Sequence, residues 1–70
     1  MTPRKTDRYV RTGGPVPQIY FGTLAGLTQA MKDAHDISKF LPELVFTIWM
    51  IQGRQRKRVK TYQAGQEIAA

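Results

Sequence analysis

The sequence predicts a small α+β domain: one helix packed on a three- or four-stranded antiparallel sheet, in the order β-α-β-β. Three observations predict it. Residues 44–52 form a strongly apolar run dense in β-branched and aromatic side chains, the composition of a strand. Ahead of it, residues 24–38 carry apolar positions at helical spacing. Behind it, Gly53 opens a stretch that can return antiparallel as far as Tyr62.

Residues 1–7 are polar and basic and have nothing to bury, so they read as a flexible arm. Residues 8–12 are a candidate for an extra N-terminal strand, with Tyr9 and Arg11 on one side and Val10 on the other. Residues 13–17, Gly-Gly-Pro-Val-Pro, break the chain. The glycine pair lacks the lysine and hydroxyl residue of a phosphate-binding loop. Residues 18–21 are too short for a helix and end at Gly22, so they read as a strand with Ile19 and Phe21 toward the core and Tyr20 away from it.

Thr23 is placed to cap a helix beginning at Leu24. Stepping 100° per residue puts Leu24, Leu27, Ala30, Met31, Ala34, Ile37 and Ser38 in one arc. Gln29, Lys32, Asp33, Asp36 and Lys39 lie opposite. Pro42 disfavours helix in the residue before it, and Phe40 and Leu41 are expected under the helix end. A second helix starting at Pro42, with Glu43 in its first turn, is the rival reading. The branched side chains of Val45, Thr47, Ile48 and Ile51 favour the strand.

That strand has two faces: Leu44, Phe46, Ile48, Met50 and Gln52 on one, Val45, Thr47, Trp49 and Ile51 on the other. Both are mostly apolar, and Trp49 reads as a core residue. One helix covers one face, so a second subunit is the economical cover for the other, with the N-terminal segment as the alternative. A homodimer is therefore expected. Residues 53–55 supply a turn. On the return, Arg56, Arg58, Lys60 and Tyr62 share one face and Lys57, Val59 and Thr61 the other, with Val59 inward. Residues 64–70 read as a flexible tail, leaving residues 8–63 as the single domain.

Seventy residues without cysteine have no disulfide and no thiolate with which to hold a metal. The absence of cysteine fits a cytoplasmic protein. The apolar run is far shorter than the roughly 20 residues of a membrane span, and the basic N-terminus lacks the apolar segment of a secretory signal. The net charge of +6 is blocked: five of the seven residues at 54–60 are basic, and Arg4, Lys5, Arg8 and Arg11 form a second group. Such blocks attract polyanions or acidic protein surfaces.

Catalysis finds little support. His35 is the only histidine and projects at the edge of the helix's apolar arc. Asp33, His35 and Asp36 do not share a helix face, and the hydroxyls of Thr23, Thr28, Ser38 and Thr47 have no visible base. No catalytic residue, metal ligand, cofactor or small-molecule substrate is expected. The better chemical case is nucleic acid, with a basic β-hairpin neutralising phosphates. Its candidate contacts are Arg54, Arg56, Lys57, Arg58 and Lys60, with Arg4, Lys5, Arg8 and Arg11. A two-stranded ribbon suits a DNA major groove; were single strands the target, Tyr20 or Tyr62 would stack on exposed bases. The expected role is that of an accessory or regulatory protein. The competing classes are a protein-interaction module that meets an acidic surface through the same arginines, and a structural subunit of an assembly.

Overall fold

The computed structural model describes residues 6–68. Its elements are β1 (Arg8–Thr12), β2 (Gln18–Phe21), α1 (Leu24–Phe40), β3 (Val45–Gln52), β4 (Gln55–Gln63) and β5 (Gln66–Ile68). The strands form one antiparallel sheet in the order β2-β1-β3-β4-β5, with α1 across one face. This is the expected α+β architecture, with five strands rather than three or four.

Thr23 is extended, at φ −118°, and its Oγ1 accepts the Gly26 N–H at 3.1 Å, which satisfies one free amide at the start of α1. The buried line of the helix is Gly26, Ala30, Ala34 and Ser38, one residue per turn. These side chains are small, so the helix axis lies close to the sheet. A Cβ on Gly26 would stand 1.9 Å from the carbonyl oxygen of Phe21. Leu27, Met31 and Ile37 flank this line and pack on the core. Leu24, expected on the buried arc, is 79% exposed, because the close approach centres on Gly26.

The core is Tyr9, Ala30, Ala34, Phe46, Ile48 and Tyr62. Phe46 and Ile48 are wholly buried. Cross-strand partners share a face, so Tyr20, Tyr9 and Met50 form one row beneath α1, and Arg11 lies beside Ile48 in the next. This reverses the expected facing of β2. The Tyr20 hydroxyl donates to Asp33 Oδ2 at 2.7 Å and accepts from Arg11 Nε at 3.4 Å. The half-buried Tyr20, with partners on α1 and β1, takes the inner face, and its neighbours Ile19 and Phe21 are turned outward.

Further differences have local causes. A bulge interrupts the β3–β4 register: Ile48 pairs with Lys60 and Trp49 with Arg58, leaving Val59 as the extra residue. Simple alternation along β4 therefore fails at Val59. Arg56 and Arg58 share the face of Ile51 and Trp49, while Lys60 and Tyr62 lie on the helix side. Val59 packs on the core, as expected. Phe40 is 84% exposed and Leu41 38%, so neither is tucked under the helix end.

Residues 64–68 do not trail off. Ala64 and Gly65 take φ of +54° and +76°. Two successive positive φ values turn the chain tightly enough for Gln66–Ile68 to pair with Thr61, Tyr62 and Gln63. Residues 69–70 of the expected tail and residues 1–5 of the expected arm lie outside the described residues. Asp7, also assigned to the arm, donates its N–H to the Ile51 carbonyl at 2.8 Å and so extends the ladder between β1 and β3.

Candidate nucleic-acid interface

The helix covers one face of the sheet. The opposite face has no element over it among the described residues. Its side chains follow from the register. At the hairpin end, Phe21, Arg8, Ile51 and Arg56 lie side by side across β2, β1, β3 and β4. The next row is Ile19, Val10, Trp49 and Arg58. Then come Thr12, Thr47, Thr61 and Ile68, and finally Val45, Gln63 and Gln66. The residues on this face bear three arginines and no carboxylate.

Apolar exposure is concentrated on the β2 side of the face: Phe21 is 85% and Ile19 62% exposed. Trp49 is half-buried among its neighbours. Its Nε1–H donates to Thr12 Oγ1 at 3.0 Å, which fixes the indole, and the Arg56 guanidinium lies over the ring at 5.0 Å from its centroid. An open groove of about 490 Å³ continues from Phe21 and Arg8 around β2 to Ala25 and Gly26 at the start of α1.

The hairpin tip is held from below. Gly53 takes φ +59° at the first position of a two-residue turn, which glycine adopts without strain. Its N–H donates to Asp7 Oδ2 at 2.6 Å. Arg54 occupies the second turn position and is exposed, as are Arg8, Arg56, Lys57 and Arg58. Among the described residues the carboxylates in contact with a basic side chain are Asp36, beside His35, and Glu67, beside Lys60, so none of these five cations is neutralised by a carboxylate.

The expected contacts do not all lie on the open face. Lys60 Nζ bonds Glu67 Oε1 at 2.5 Å, and that hydrogen bond raises the lysine pKa. Lys57 is exposed on the helix-side face, opposite Met50. Arg11 is only 8% exposed and lies over the Phe46 ring at 5.6 Å, so it is part of the interior. Arg4 and Lys5 lie outside the described residues. Tyr20 and Tyr62 are on the helix side, and burial raises both phenol pKa values. Neither tyrosine belongs to the open face. Phe21 and Ile19, expected in the core, do.

His35 Nδ1 stands 3.3 Å from Asp36 Oδ1, closer than a helical projection of adjacent residues implies, and its ring meets Tyr62 edge-on at 6.5 Å. Among the described residues no three histidine, aspartate or glutamate side chains gather as a metal site. No helix among them is long and apolar enough to cross a membrane. Comparisons with family models, curated proteins and solved structures find no match to this chain.

Proposed function

We propose that this protein binds nucleic acid without catalysis, as a small accessory or regulatory protein that contacts phosphates through the β3–β4 hairpin. One observation carries the reading: Arg8, Arg54, Arg56, Lys57 and Arg58 are all exposed at the hairpin end, and no carboxylate pairs with any of them among the described residues. Five like charges held together repel one another. A polyanion relieves that repulsion, supplies charge-assisted hydrogen bonds and releases its own counterions. Asp7, the acid nearest the tip, is engaged by the Gly53 amide.

A second reading, an acidic protein partner, draws on the exposure of Ile19 and Phe21 beside Arg8, since protein interfaces mix apolar cores with charged rims. A pull-down with the purified chain, with and without nuclease, separates the two. Retained nucleic acid whose affinity falls steeply with salt supports the proposal. Capture of one protein that survives nuclease overturns it in favour of the second reading.

A further inference from the structure

We infer that the nucleic acid taken is single-stranded, with unpaired bases laid on the open face of the sheet between its arginines. The inference rests on the nucleic-acid reading and adds the class of strand.

Shape is the first argument. The strands carrying the first two rows are β2, β1, β3 and β4. At about 4.8 Å between neighbours, their outer axes are about 14 Å apart. A B-DNA major groove is about 12 Å wide, so this platform does not enter it. The hairpin has no free length with which to enter alone. Beyond the row of Arg8, Ile51 and Arg56 it extends by only Gln52, Gly53, Arg54 and Gln55. A duplex would touch the tip and leave the rest of the face unused.

Chemistry is the second. The two rows interleave aromatic and aliphatic side chains with cations: Phe21, Arg8, Ile51 and Arg56, then Ile19, Val10, Trp49 and Arg58. Paired bases hide their ring faces in the stack. Unpaired bases expose them, and they stack on aromatic rings or guanidinium planes while the flanking cations meet the phosphates. Phe21 offers a ring that is 85% exposed. Beside Trp49 a base meets the Arg56 guanidinium that already lies over the indole. Among the described residues the face bears no carboxylate to repel a phosphate.

A second copy of the chain is the competing occupant, and the same charges oppose it. A two-fold interface apposes a patch to itself. Here that gathers Arg8, Arg56 and Arg58 of both copies into one interface, with no acid among the described residues of that face to offset them.

The test compares a fluorescent oligothymidylate of about twelve nucleotides with a mixed-sequence hairpin duplex of matching length. It uses the full chain and Phe21→Ala, a change at an exposed position that leaves the core intact. The expected results are tighter binding of the single strand by tenfold or more, and a loss of about tenfold in single-strand affinity for Phe21→Ala with duplex affinity unchanged. Binding of the oligothymidylate should also quench Trp49, the only tryptophan in the chain. Equal or tighter duplex binding, or a Phe21→Ala chain with unchanged single-strand affinity, overturns the inference and leaves the nucleic-acid reading standing. Salt-sensitive binding of neither probe overturns both. Sedimentation of the free chain as a dimer that Phe21→Ala dissociates assigns the face to a second copy and also overturns the inference.

Discussion

At the scale of single residues, the polar groups under the helix determine which side chains face inward. Ser38 is fully buried, donates to the His35 carbonyl at 2.9 Å and accepts the Gly65 N–H at 2.8 Å. Its hydroxyl ties α1 to the β4–β5 turn. Ser38→Ala leaves that amide without its partner, so a loss of about 1–3 kcal/mol is expected in urea unfolding. A loss below about half a kcal/mol would show that another group reaches the Gly65 amide. Tyr20 and Tyr62 both have raised phenol pKa values, with burial the largest cause in each; for Tyr20 the Arg11 hydrogen bond opposes it. Below the unfolded tyrosine value of about 10, both states hold these protons and stability does not change on their account. Above it the unfolded chain releases them first, so stability falls as pH rises through the folded values. Phenolate absorbance followed alongside unfolding checks this, and stability that rises in that window contradicts it.

At the scale of elements, close approach matters more than the breadth of the helix's apolar arc. Gly26, Ala30, Ala34 and Ser38 bring α1 down onto the sheet, and Gly26 sits against the Phe21 carbonyl. In an isolated helix, Gly26→Ala gains about 1 kcal/mol of propensity. Here the added methyl meets backbone, and overpacking costs about 1–3 kcal/mol. The expected net effect is destabilising, read as a lower thermal midpoint; an unchanged or raised midpoint would mean that the helix moves off β2 freely. The bulge at Val59 is the other element-level device. It keeps Val59 and Tyr62 on the core while turning Arg56 and Arg58 to the open face. Without it, the basic half of β4 and the tyrosine half would share one face.

At the scale of the whole molecule, the two faces of the sheet divide the chemistry. The helix side holds the core, the Lys60–Glu67 pair and the buried Arg11; the open side holds the interleaved arginines and apolar side chains. Replacing Arg54, Arg56, Lys57 and Arg58 together with glutamine tests whether the hairpin cations govern binding. Each phosphate contact contributes about 0.7 to the logarithmic salt slope for a single strand. The fourfold variant should therefore bind more weakly at low salt, with a slope smaller by about 2–3. An unchanged slope in a folded variant would shift the phosphate contacts away from the hairpin.

The sequence by itself determined the class of the fold and the order of its main elements. The β-branched run at residues 44–52, the apolar period from Leu24 and the cap at Thr23 are local signals, and local sterics suffice to express them. The density of cations at residues 54–60 is equally local. Tertiary structure decided which cations are available and what lies beside them. Arg8 and Arg11 are three residues apart and look alike in sequence, yet one is exposed on the open face and the other lies over Phe46. The facing of β2 turned on Asp33 and Arg11, contributed by α1 and β1, and the facing of Arg56 and Arg58 on a bulge. The alternation of Gln18–Phe21 favours Ile19 and Phe21 inward, but in a strand of four residues so few positions share a face that the preference is overridden from outside it. Partners distant in sequence make that choice: the Tyr20 hydroxyl accepts from the buried Arg11 and donates to Asp33, and turning it outward would take that acceptor from a buried guanidinium.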